Sequence, residues 1–221
     1  MSAADRAWLL VVAKAPHAGA VKTRLGASIG PEAAAQVAAA ALLDTLSACR
    51  GAVGAARCVL SLAGDLVGAH RERELREALT GWTVHPQRGD GLAERIAAAH
   101  EDVGPHPVVQ VGMDTPQVTP DLLRGAAAAL DEHDAVLGTA PDGGWWVLGM
   151  RDPARAGALR DVPMSRPTTA RDTRAALVAA GLRVGGAPAL TDVDTVADAA
   201  LVAGQAPGSE FARAWQAVGR R

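Results

Sequence analysis

Trp8-Leu9-Leu10-Val11-Val12, followed at once by Ala13-Lys14-Ala15-Pro16-His17-Ala18-Gly19-Ala20-Val21-Lys22-Thr23-Arg24-Leu25, is the stretch that decides the fold. The apolar β-type run reads as a first strand, Trp8 to Ala13. The segment after it carries Lys14, Lys22 and Arg24 and is punctuated by Pro16 and Gly19. A cationic loop between a first strand and a first helix is where an open α/β sheet holds an anionic ligand. The alternative is a solvated basic loop with no ligand.

Two familiar phosphate loops do not fit. A dinucleotide fingerprint needs G-x-G-x-x-G, and the loop has Gly19 alone. A Walker A loop places glycine before the lysine, whereas Val21, whose branched Cβ resists positive φ, precedes Lys22-Thr23. What remains is side-chain charge, Lys as a compact point charge and Arg as a bidentate fork.

Working outward, short apolar runs alternate with Ala/Leu-rich helical patterns, the signature of βαβ units and a mostly parallel sheet. Strands are expected at Trp8 to Ala13, Cys58 to Leu62, Trp82 to His85, Pro107 to Val111, Ala135 to Gly138, Gly144 to Met150 (pairing locally) and Leu182 to Val184. Helices are expected from Pro31 to Cys49, Ala69 to Leu79, Leu92 to Glu101, Pro120 to Asp131, Thr169 to Ala180, Val196 to Val202 and Ser209 to Val218. No repeat or linker divides the 221 residues, so a single domain, 1–221, with a helical tail over 203–221, is expected.

Composition narrows the function. A net charge of -2 supplies no field for a nucleic-acid backbone, and with Tyr absent and one Phe there are few stacking platforms, so no nucleic-acid partner is expected. The first apolar run is too short and too soon interrupted by Lys14 to be a leader or a span; no membrane partner and a cytoplasmic location are expected. Cys49 and Cys58 lack metal or redox spacing and read as buried thiols. The six histidines show no H-E-x-x-H pattern, and no G-x-S-x-G elbow occurs.

Four further segments carry chemistry. Asp114, in Gly112-Met113-Asp114-Thr115-Pro116 just past a strand, lies at the carboxyl edge of the sheet, although a turn or cap role would also place an aspartate there. In Thr191-Asp192-Val193-Asp194-Thr195, an extended backbone puts Asp192 and Asp194 on one side and Val193 toward the core; alternatively Asp194 caps the next helix. Asp114 and Asp194 together offer two hard oxygen ligands, which suits Mg²⁺ or Mn²⁺ completed by substrate phosphate and water. Pro141-Asp142-Gly143-Gly144-Trp145-Trp146 is a hairpin signal, or else a place where paired glycines let a ligand approach while Asp142 and one Trp face a pocket. Gln87-Arg88-Gly89-Asp90-Gly91-Leu92 with Arg95 is a polar strand-to-helix junction that is either turn chemistry or a contact to base or phosphate.

In order, K-A-P-x-x-G-x-V-K-T-R-L, Q-x-G-D-G-L-x-x-R, G-x-D-T-P, D-G-G-W-W-x-L-G and D-V-D-T resemble the DUF2064 family over about Trp8 to Ala203. This family is similar to arsenosugar-type glycosyltransferases and to molybdopterin and 2-phospholactate nucleotidyltransferases. The resemblance implies a Rossmann-like three-layer α/β/α sandwich of the nucleotide-diphospho-sugar transferase (GT-A) type. It places the first loop on nucleotide phosphates and makes Asp114 and Asp194 the metal ligands. Trp145-Trp146 stands where the family often has two tyrosines, and Met164-Ser165-Arg166-Pro167 lacks a tryptophan common near that point.

The expected site follows. Lys22, Asp114 and Asp194 are catalytic; Lys14, Ala15, Pro16, Gly19, Lys22, Thr23, Arg24, Gln87, Asp90 and Arg95 bind nucleotide; Asp142, Gly143, Gly144, Trp145 and Ser165 bind the acceptor. Cations over the phosphates favour nucleotidyl transfer, in which departing pyrophosphate must be stabilised, onto a small phosphate-, phosphonate- or arsonate-like acceptor. Glycosyl transfer from an NDP-sugar, with Asp142 as base, is the alternative, and a nucleotide-binding module without turnover is a third. The base, the acceptor and the oligomeric state are left open.

Overall fold

The computed structural model describes residues 2–219; Met1 and the last two residues of the expected tail, Arg220 and Arg221, lie outside them. A short helix α1 (Ala3–Arg6) leads into β1 (Trp8–Lys14). Then follow α2 (Thr23–Ile29), α3 (Pro31–Val53), β2 (Cys58–Ala63), α4 (Glu72–Ala78), β3 (Thr83–Pro86), α5 (Leu92–Val103) and β4 (Val108–Val111). The second half comprises α6 (Pro120–Ala128), β5 (Ala135–Thr139), β6 (Trp145–Met150), a 3-10 helix (Pro153–Leu159), α7 (Thr169–Ala179), β7 (Val184–Ala187), α8 (Val196–Gln205) and α9 (Glu210–Val218).

The seven strands form one sheet in the order β3-β2-β1-β4-β6-β5-β7. β6 runs antiparallel to both β4 and β5, and the other pairings are parallel. The mostly parallel sheet and the local β5–β6 hairpin agree with the sequence reading. Alternation along β1 sends Leu9, Val11 and Ala13 into a core with α3 and α6, while Leu10 faces Ala99 and Val103 of α5. A separate cluster joins β5, β6, the 3-10 helix and α7, completing a three-layer α/β/α arrangement. Phe211 of α9, wholly buried, packs with Val202 of α8 and Val37 and Ala41 of α3, a burial worth roughly 1.5–3 kcal/mol. Both cysteines are buried and free, as read from the sequence.

The main departure in secondary structure is at the first loop. The first helix after β1 begins at Thr23, not at Pro31, so Thr23 and Arg24 stand on α2. Gly30, at φ 88°, then separates α2 from α3, whose first position is Pro31 and which runs on to Val53. The helix expected from Ala69 starts at Glu72, and the last strand lies later than expected, at Val184–Ala187.

Strand order reverses between β1 and β4, so the connections after them diverge and open a crevice at their carboxyl ends. Because β6 is antiparallel, its first residue, Trp145, lies at this same edge, as do the ends of β5 and β7.

Candidate active site

Lys14 ends β1, and Asp114 lies three residues past β4. The loop after β7 is drawn to Asp114 by two bonds: Val193 N–H donates to the Asp114 carbonyl at 2.9 Å, and Gln117 Nε2 donates to the Thr191 carbonyl at 2.7 Å. Val193 is buried, so the flanking Asp192 and Asp194 face the crevice, as the alternation required. Asp194 does not cap α8. Thr195 does so, in a reciprocal capping box with Asp198, which leaves the Asp194 carboxylate free for the site.

The two distant aspartates converge on one cation, the ammonium of Lys22. Its Nζ lies 2.7 Å from Asp114 Oδ1 and 3.2 Å from Asp194 Oδ1, and Arg24 Nη1 lies 3.0 Å from Asp194 Oδ2. The Lys22 side chain is only 6% exposed. Burial by itself pushes the ammonium pKa down, but Asp114 and then Asp194 more than offset this, and the net direction is upward. Lys22 reaches inward because its backbone is left-handed, φ 48°, a conformation costing a non-glycine residue on the order of 1 kcal/mol. Val21, which seemed an obstacle to a positive φ, is instead a buried anchor, and the positive φ falls on its neighbour.

The crevice has two continuous halves that share Val12, Arg24, Leu92, Asp114, Ser165 and Asp194. The first, of about 630 Å³, is lined by Lys14, Lys22, Arg24 and Arg95 together with Asp90, Asp114 and Asp194, four cations against three carboxylates. The second, of about 450 Å³, has Arg24 and Arg166 against Asp114, Asp142, Asp192 and Asp194. Burial, then Asp142, and more weakly Asp114 and Asp194, push the Asp192 pKa up to about 6. Charge therefore divides the crevice into a cationic and an acidic half.

Most expected site residues line it. Lys14, Thr23, Gln87, Asp90 and Arg95 are in the cationic half; Asp142, Gly144 and Trp145 are in the acidic half; Ser165, at φ 59°, is in both. Five expected residues have another place in the fold. Ala15 and Pro16 are buried beneath the loop: Ala15 N–H donates to Ala63 and the Pro16 carbonyl accepts from His70 N–H, so they anchor the loop to its neighbours. Gly19 is exposed at the loop's outer bend, at φ 77°, and lines neither half. Gly143 is approached by the chain itself: a Cβ there would lie 1.9 Å from the Pro167 carbonyl oxygen, so its missing side chain admits the 163–168 segment, not a ligand. Gln87 lines the crevice, but its amide donates to the carbonyls of Ala13 and Ser61, tying β1 to β2.

The structure adds residues the motifs did not single out. Arg166 and Met164 enter from the loop before α7, and Gln110 from the middle of β4. Gln110 carried a visible signal, a polar residue within a run of buried valines.

A divalent ion fits the pair of acids, since both carboxylates already bracket one positive charge. Among the described residues no group of three or more His, Cys, Asp or Glu side chains could hold a metal, so an ion here would complete its shell with substrate oxygens and water.

The architecture and a crevice at its switch point are those of the GT-A type of nucleotide-diphospho-sugar transferase fold. The chain belongs to the DUF2064 family, described as an uncharacterized protein conserved in bacteria, whose model matches residues 45–166. A candidate nucleotide-diphospho-sugar transferase from Desulfovibrio desulfuricans G20 is similar at 27% identity, covering 100% of this chain and 95% of its own, with a TM-score of 0.81. Two other structures share the fold alone. They are a cytidylyltransferase from Leptospira borgpetersenii serovar Hardjo-bovis (11% identity, 97% and 94% covered, TM-score 0.59) and Rv0371c of Mycobacterium tuberculosis H37Rv with manganese (21%, 89% and 97%, TM-score 0.53). Comparison with curated proteins finds no match in sequence. The expected class, a transferase, is that of the first two of these neighbours. Among the described residues no helix is long and apolar enough to cross a membrane.

Proposed function

We propose that the whole chain acts as one divalent-metal-dependent nucleotidyltransferase, moving an NMP from an NTP to a small anionic acceptor. The observation that carries this reading is the bracketing of the Lys22 ammonium by Asp114 and Asp194 at the border of a cationic half-crevice. Lys14, Arg24 and Arg95 hold the polyphosphate by charge, and Lys22 neutralises charge developing on the leaving pyrophosphate. An acceptor oxygen bonds to the α-phosphorus as the bond from that phosphorus to the bridging oxygen breaks, and pyrophosphate departs with the electron pair. No base is needed, because a phosphate-like acceptor is already ionised. Asp114 and Asp194 hold Mg²⁺ or Mn²⁺, which supplies a Lewis acid for the phosphate oxygens. The manganese found with Rv0371c supports a metal in this fold.

A second reading, glycosyl transfer from an NDP-sugar, is favoured by the acidic half: Asp142 and Asp192 suit a hydroxyl-bearing group and offer a base for its proton. Incubation with each NTP, Mg²⁺ or Mn²⁺ and a panel of phosphate, phosphonate and arsonate acceptors is expected to release pyrophosphate. Turnover confined to NDP-sugars would establish the second reading in its place. Asp114→Asn is expected to abolish turnover with the fold intact; undiminished activity would remove Asp114 from the site.

A further inference from the structure

Gln110 is 2% exposed, stands between Val109 and Val111 on β4, and lines the acidic half of the crevice together with Val12, Leu92 and Ile96. Its Oε1 lies 2.8 Å from Nε2 of His100, an α5 residue with no exposure at all. The other ring nitrogen, Nδ1, is sealed without a partner.

That lone nitrogen fixes the tautomer. A proton on Nδ1 would bury a donor with no acceptor, whereas a proton on Nε2 leaves only an unused lone pair, the smaller penalty. The Nε2–H group therefore donates to Gln110 Oε1, and burial keeps the ring neutral. With its carbonyl held by His100, the carboxamide of this cavity-lining residue keeps an NH2 that among the described residues meets no protein acceptor and, unlike His100 Nδ1, is not sealed.

We propose that Gln110 is a substrate-recognition residue whose amide N–H donates to an oxygen of the bound substrate, and that His100 is the residue that positions it. The oxygen belongs either to the nucleobase or to the group joined to the phosphates. This inference rests on the nucleotide-transferase reading.

Isothermal titration of the protein with CTP, UTP, GTP, ATP, UDP and UDP-glucose, each with MnCl2, tests it. Gln110→Met removes the donor. Gln110→Glu keeps an oxygen for His100 and replaces only the NH2. Both are expected to raise Kd for the best-bound probe by roughly five- to tenfold, the effect of one lost hydrogen bond. Weakening toward plain nucleotides assigns the oxygen to the base; weakening toward UDP-glucose but not UDP assigns it to the transferred group. His100→Gln, which restores a donor at the same reach, is expected to bind like wild type, and His100→Met to bind as weakly as Gln110→Met. Unchanged Kd in both Gln110 variants, with wild type binding a probe, overturns the inference alone. Failure of wild type to bind any probe overturns the nucleotide reading and this inference with it.

Discussion

Lys22 Nζ stands 2.7 Å from Asp114 Oδ1 and holds Asp194 with the same ammonium, so the protein's own cation occupies the place between the two carboxylates. A divalent ion that takes both acids must compete with Lys22. Lys22→Met in metal-free buffer leaves Asp114 without its partner and Asp194 with Arg24 alone, and is expected to lower stability by about 1–3 kcal/mol. Mn²⁺ is expected to bind the variant several-fold more tightly than wild type, and to restore its melting temperature, while turnover falls at least tenfold. Calorimetric titration of Mn²⁺ without nucleotide checks this; equal affinity in the two proteins would show that the lysine and the metal do not share the acids.

Gln87 presents a sharper contrast between motif and structure. Its amide is consumed by the carbonyls of Ala13 and Ser61, both at 3.0 Å, so its expected contribution is to the sheet edge and not to nucleotide affinity. Gln87→Ala is expected to cost about 1–3 kcal/mol in urea unfolding by leaving two carbonyls with fewer donors. Arg95→Ala, in contrast, is expected to weaken nucleotide binding with little change in stability. A Gln87→Ala protein of normal stability and poor nucleotide affinity would return Gln87 to the binding set.

The two residues show what was legible in the sequence. That Asp114 and Asp194 meet follows from chain order, because both succeed strands at the carboxyl edge, and the Asp192-Val193-Asp194 alternation needed only an extended backbone. The use of Gln87 was hidden, since it depends on the ends of β1 and β2, 74 and 26 residues away in sequence. Helix α2 was hidden for a local reason: Thr23–Ile29 includes Gly26 and Ser28, has no acidic first turn, and starts from a left-handed Lys22, so it carries few of the usual start signals. The inward turn of Lys22 has the same origin, because no Gly or Asn marks the positive φ.

Gly143 illustrates a glycine kept for the chain's own approach. Its φ is 89°, and a Cβ would lie 1.9 Å from the Pro167 carbonyl oxygen, while its own carbonyl accepts from Ala170 N–H. Gly143→Ala is expected to lose at least about 2 kcal/mol, combining a strained backbone with displacement of the 163–168 segment, and to reduce activity through Ser165 and Arg166. Gly144→Ala is the control: there the added Cβ meets the Asp142 carboxylate at 3.0 Å, a side-chain atom able to shift. Equal stability of the two variants in a denaturant titration would refute the close approach at Gly143.

His100 and Asp192 place opposite pH terms in one window. Burial drives the His100 pKa from 6.5 down to about 4, so between these values the unfolded chain binds a proton that the fold refuses, and stability falls as pH is lowered. Burial and neighbouring carboxylates drive Asp192 from 3.8 up to about 6, so in that interval the fold holds a proton that the unfolded chain has released, and stability rises as pH is lowered. The two terms oppose each other in the wild-type protein, and the fully buried histidine outweighs the half-exposed acid. Asp192→Asn removes one of them. Its stability relative to wild type is expected to be unchanged near pH 4 and to climb to a plateau above pH 6, with a gain on the order of 1 kcal/mol once solvent screening of this half-buried group is allowed for. The variant's own stability then rises with pH between 4 and 6.5, exposing the histidine, by no more than about 1.4 kcal/mol per pH unit. Urea unfolding of both proteins from pH 4 to 7.5 measures the two curves, and a difference between them that does not change with pH would mean that Asp192 titrates as an ordinary solvated carboxylate.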